Sequence, residues 1–107
     1  MENQNQEHYI VSFKHTRPDD PVITFWKPNN AGYTVSLEKA GKYTEIEEGY
    51  HTGNNAKPVP CALIDALSKV MSYGDFKNQR MLPSVEHVWM ALDEPEIAQK
   101  VKSRDNA

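Results

Sequence analysis

Apolar positions alternate near the start of this 107-residue chain and recur at helical spacing in its second half. Tyr9, Val11 and Phe13 alternate with Ile10 and Ser12 in a run of strand formers, which predicts a strand over 9–13 with those three on one face. Val22, Ile23, Phe25 and Trp26 leave only Thr24 polar, so 22–26 reads as a second strand, central or covered. The prolines and aspartates between His15 and Pro21 make a loop and favour an antiparallel hairpin.

Leu63, Ile64, Leu67, Val70 and Met71 then recur at helical spacing until Gly74, which predicts a helix over 60–74. Pro60 suits its first turn, where a missing N–H costs nothing. Ser84 is placed to cap another helix, with Val85, Val88, Trp89 and Leu92 on one apolar face and Pro95 interrupting it.

The middle of the chain predicts shorter pieces. Ser36 to Gly41 reads as one or two helical turns, and Lys42-Tyr43 as a brief strand or an extended link. Thr44 and Glu47 have the spacing of a capping box for a short helix that Gly49 closes. Residues 50–60 read as a loop stiffened by Pro58 and Pro60, and 80–82 as a short edge strand. Together these give an α+β fold: a small antiparallel sheet, built on the 9–13/22–26 hairpin plus one or two short strands, packed against two to three helices. The expected organisation is a polar arm over 1–8, one domain over 9–94 and a polar tail over 95–107, helical at its start.

Composition narrows the function without choosing one. With 38% apolar and 25% charged residues the chain is globular rather than disordered. Its net charge of −3 comes from the middle, where Glu45, Glu47, Glu48, Asp65 and Asp75 face only Lys57 and Lys69. That balance is too acidic for phosphate-driven binding and too mild for a DNA mimic, so nucleic acid is not favoured as a partner. Cys61 is the only cysteine, which excludes an internal disulfide and a multi-cysteine zinc site. No signal-peptide pattern opens the chain and no apolar run nears the roughly 20 residues that span a bilayer, so a cytoplasmic protein is expected. A homodimer is compatible with so small a core.

The candidate chemistry is thin. Cys61 in the first turn of a helix, with His51 and Asp65 nearby in sequence, has the residue types of a nucleophilic site; free cysteine is more commonly a buried apolar residue. His8, His15, His51 and His87 show no ligand spacing, so no metal and no cofactor are expected. Glu45, Glu47 and Glu48 read as a solvated face.

The densest stretch is TFWKPNNAGYT, residues 24–34. As a binding loop, Trp26 and Tyr33 make a stacking platform while Lys27, Asn29 and Asn30 supply donors. As a turn, Phe25 or Trp26 enters the core, Pro28 fixes the bend, the asparagines and Gly32 take left-handed backbone, and Tyr33 packs back. Joint exposure of Trp26, Lys27 and Tyr33 would make it a binding surface; a buried Trp26 would make it a turn.

From Phe25 to Thr44 the string FWKPNNAGYTVSLEKAGKYT resembles a pattern in small uncharacterised phage and prophage proteins: an aromatic pair, basic-Pro-Asn, Gly-Tyr-Thr, a short acidic-apolar helix, Ala-Gly, and an aromatic followed by Thr or Ser. Here the pattern falls on Phe25, Trp26, Lys27, Pro28, Asn29, Gly32, Tyr33, Thr34, Leu37, Ala40, Gly41, Tyr43 and Thr44. Those proteins often have arginine where Lys27 stands, which weakens any bidentate role. The resemblance implies a phage-type accessory protein and brings no catalytic residues. The expected function is non-enzymatic binding of a host or phage macromolecule, a protein first of all, with inhibition of a host defence system as one version. The alternatives are a nucleotide or single-stranded nucleic-acid module using Trp26 and Tyr33, and a small enzyme using Cys61.

Overall fold

A computed structural model describes residues 6–17 and 19–105. Most of the 1–8 arm, Pro18 of the 15–21 loop and the last two residues of the tail therefore lie outside the described residues. Strands β1 (His8–Ser12), β2 (Phe25–Trp26), β3 (Tyr33–Thr34) and β4 (Ala56–Pro60) form one antiparallel sheet in the order β3-β2-β1-β4. Helix α1 (Cys61–Leu67) follows β4 directly, and β5 (Lys69–Tyr73) with β6 (Phe76–Met81) makes a separate hairpin. Helices α2 (Glu86–Ala91) and α3 (Pro95–Asp105) end the fold. The class is α+β, as the pattern predicts.

Both faces of the four-stranded sheet are covered, because its strands carry apolar residues on both sides. Tyr9, Val11, Phe25 and Val59 point into the main core with Ile64, Leu82, Val88 and Trp89. Ile10, Trp26 and Ala56 point the other way, where Tyr43 and Ile46 of the irregular 43–55 segment lie over them. The expected 22–26 strand splits its partners: Val11 pairs with Phe25, whereas Val22 bridges Pro83 and the Ile23 N–H donates to Leu82 O.

Residues 56–60, expected as loop, form edge strand β4 despite two prolines. Ladder bonds from the Cys61 N–H to Glu7 O and from the Phe13 N–H to Asn55 O set the pairing. Alternation then leaves Pro58 and Pro60 in the non-hydrogen-bonded pairs with Ile10 and His8, so each nitrogen faces the outer edge, where no donor is required.

The helix expected over 60–74 stops at Leu67. Ser68 is extended, its Oγ bonds back to Asp65 O, and the chain becomes β5. Val70 is 67% exposed, so the helical spacing of 63–71 did not report a buried stripe. Gly74, at φ 59°, and Asp75 form the tight turn into β6, which ends on Arg80 and Met81 of the expected 80–82 strand and leaves Leu82 outside it.

Three expected caps also fail. Ser36 to Gly41 is a turn held by the Lys39 N–H on Ser36 O, and the Leu37 N–H is taken by Arg80 O. No helix follows Thr44; the Glu47 N–H donates to His51 Nδ1 instead. Ser84 caps nothing, since its Oγ accepts the Trp89 indole N–H and α2 begins after Val85. From Pro95 onward the expected tail forms α3, which buries Ala98 and Val101 in the main core. Asp65 accepts from both the Tyr9 hydroxyl and Arg80 Nη1 at 2.9 Å, tying β1, α1 and β6 together.

Candidate functional site

Residues 24–34 fold as the β2–β3 hairpin. The Lys27 N–H donates to Gly32 O, and a single 3-10 turn, Pro28–Asn30, makes the bend. Asn29 and Asn30 sit at φ 60° and 58° and Gly32 at 116°, the left-handed backbone that asparagine and glycine tolerate best. The bend is held from outside: the Tyr43 hydroxyl donates to Lys27 O and accepts the Asn30 N–H. Gly41 packs so closely that a Cβ there would stand 2.7 Å from Pro28 N.

The five candidate residues do not form one site. Trp26 is only 9% exposed, so it is no open platform, and by that criterion the stretch is a turn. Tyr33 is 43% exposed and meets Trp26 edge to face at 6.0 Å between ring centroids. Asn30 is spent on structure, since its Oδ1 accepts from His51 Nε2. Asn29 and Asn30 line a different concavity, shared with Lys42, Glu45 and His51. Lys27 is half-buried at the base of the bend and does not line that concavity.

Sequence reasoning missed Tyr50, which is 53% exposed and stands against Trp26 at 5.3 Å and 80°. Trp26, Tyr33 and Tyr50 line a concavity of about 420 Å³ whose rim carries Lys14, Thr52, Asn54 and Asn55 and no carboxylate. The Trp26 Nε1 is buried and has no hydrogen-bond partner among the described residues. A second concavity, of about 310 Å³, also has Tyr33 in its wall, with Tyr73, Phe76, His15 and Asp75. The only sequence signal for Tyr50 was an aromatic residue beside Gly49 in a loop, with no periodicity to place it.

The Cys61 constellation is not assembled. Burial first, then the negative charges of Asp65 and Glu7, push the thiol up to about 11, which is the opposite of an activated nucleophile. His51 packs on the opposite face of the sheet, between Trp26 and Tyr43. Burial alone would raise the Asp65 carboxyl, yet the hydrogen bonds from Arg80 and Tyr9 outweigh it and hold the group below its usual range. Among the described residues no three potential metal ligands cluster, and no helix is long and apolar enough to cross a membrane.

The fold and this surface define a small α+β domain with an aromatic-lined side. Compared with known proteins, the chain matches no family model, no curated protein and no solved structure.

Proposed function

We propose that this chain is a non-enzymatic binding protein whose partner is another protein, gripped through Tyr50, Tyr33 and Tyr73. The observation that carries the reading is the position of Tyr33, which lines one concavity with Tyr50 and the other with Tyr73. Three tyrosines from separate segments, each more than a third exposed, are thus linked through the two concavities that Tyr33 shares. Tyrosine gives large contact area at little entropic cost and is enriched at interface centres. The likeness of 25–44 to phage and prophage proteins makes a bacterial host or phage macromolecule the partner to seek in the host cytoplasm, a host defence component being one form.

The test is affinity capture from bacterial lysate with wild type, Tyr33→Ala, Tyr50→Ala and Tyr73→Ala, each verified as folded by circular dichroism. A partner held by wild type and lost by the variants supports the reading. Repeated recovery of no specific partner, or of one held equally by all four, overturns it.

A second reading, a nucleotide or single-stranded nucleic acid bound at the Trp26 concavity, is favoured by Tyr33 and Tyr50 in its wall and by Lys14 on a rim without carboxylates. Stacking would then fall to Tyr33 and Tyr50. Fluorescence titration with nucleotides and oligonucleotides tests it, with Trp89, 1% exposed, as the internal reference. Quenching that persists in Trp26→Phe, or none at all, removes it.

A further inference from the structure

We propose that the concavity between β3 and the β5–β6 hairpin binds an organic cation, a quaternary ammonium or guanidinium group, against the rings of Tyr33, Tyr73 and Phe76 with Asp75 as counter-charge. At about 310 Å³ the space lies at the lower end of small-ligand clefts, roughly 300–1,000 Å³, which suits a compact head group better than a nucleotide. His15 is the one basic side chain that lines it, neither lysine nor arginine does, and Asp75 is its one acidic side chain. Among the described residues that carboxylate is in no salt bridge. Aromatic faces carry negative electrostatic potential and attract weakly hydrated organic cations.

The walls are held in place. Tyr33 has the His15 ring at 3.9 Å on one side and Trp26 at 6.0 Å on another. Tyr73 and Phe76 are cross-strand partners flanking the Gly74-Asp75 turn, so three of the proposed contacts fall within four consecutive residues. Phe76 packs on the buried Val22, Val35 and Met81, which anchors the hairpin tip to the body. Tyr33 thus belongs to two concavities of opposite character, one with Lys14 on its rim and one with Asp75. The inference does not depend on the protein-binding reading, because a free small cation satisfies the site as well as an arginine of a partner.

The experiment is an NMR titration of the isotope-labelled full chain with two matched pairs. Choline is compared with its neutral isostere, in which a tert-butyl group replaces trimethylammonium, and N-acetylarginine amide with N-acetylcitrulline amide. Saturable shifts of the Tyr33, Tyr73, Gly74 and Phe76 amides are expected with at least one cation, whose neutral twin binds about tenfold more weakly. Asp75→Asn should weaken the cation about two- to fivefold, and Tyr73→Ala should abolish binding while Tyr73→Phe keeps it. Tighter choline identifies a free ammonium ligand; tighter arginine identifies a side chain of a partner. No saturable shift, equal binding of cation and isostere, or an affinity unchanged in both Asp75→Asn and Tyr73→Ala overturns the proposal. Asp75 is exposed, so its variant keeps the test open should Tyr73→Ala unfold.

Discussion

The His51 ring links two loops that the sequence leaves separate: Nδ1 accepts the Glu47 N–H at 2.9 Å, and Nε2 lies 3.0 Å from Asn30 Oδ1. A backbone N–H can only donate, so the ring carries its hydrogen on Nε2 and Asn30 is the acceptor. This bridge, with a buried imidazole between exposed Asn30 and Glu47, fastens the β2–β3 bend to the 44–55 segment and so sets Tyr50 beside Trp26.

Asn30→Gly removes the acceptor while keeping a residue suited to φ 58°. Losing this part-buried hydrogen bond at an exposed Asn30 should cost about 0.5–1.5 kcal/mol in urea denaturation. Asn30→Ala should be about 1 kcal/mol worse again, since its Cβ resists the left-handed region. Alanine proving the milder change would contradict this account of the bend.

Gly41→Ala is expected to be damaging at this buried position, because the new methyl meets the Pro28 backbone and the Tyr43 ring, each at 2.7 Å. Relieving the clash moves the Gly41 N–H away from Trp26 O, a 2.9 Å bond. A loss of about 1–3 kcal/mol should appear as a lower Tm and as altered Trp26 fluorescence. An unchanged Tm would mean that the two backbones separate freely.

Stability should fall as pH rises above about 9. Burial raises the Cys61 thiol from 9.0 to about 11 and the Tyr9 hydroxyl from 10.0 to about 12, the latter with help from Asp65. Between the ordinary and the raised values the unfolded chain has released these protons and the folded chain has not, so deprotonation favours unfolding. Cys61→Ala should remove the part of the decline that begins near pH 9 and leave the Tyr9 part. In the native protein the thiol should also resist alkylation until denaturant is added.

At the acid end the sign reverses. Asp65 is held below its ordinary range, so its contribution is present above the unfolded value, about 3.9, and disappears as pH falls through the folded one. Arg80→Met should raise the Asp65 carboxyl in an NMR pH titration and make the acid side of the stability curve shallower. The effect should be modest, because both side chains remain more than a third exposed. A carboxyl that titrates identically in the variant would show that Arg80 does not hold it.

The sequence by itself determined the strands whose apolar residues alternate and the backbone that only certain residues tolerate. Tyr9, Val11 and Phe13 share a face, and Asn29, Asn30 and Gly32 take left-handed angles, because side-chain period and local sterics are properties of neighbouring residues. Tertiary structure decided what local pattern leaves open. Val70 and Met71 fit a helix or a strand equally well by spacing, and pairing with Arg80 and Gln79 made them strand. Thr44, Ser84 and Glu47 have the chemistry of caps, yet His51 took the Glu47 N–H and Trp89 took the Ser84 hydroxyl. Tyr50 and Tyr73 each come to share a concavity with Tyr33 only when three distant segments pack, and no period along the chain encodes those meetings. Local sterics act between neighbours in the chain, whereas a shared surface depends on the long-range contacts that closing the fold creates.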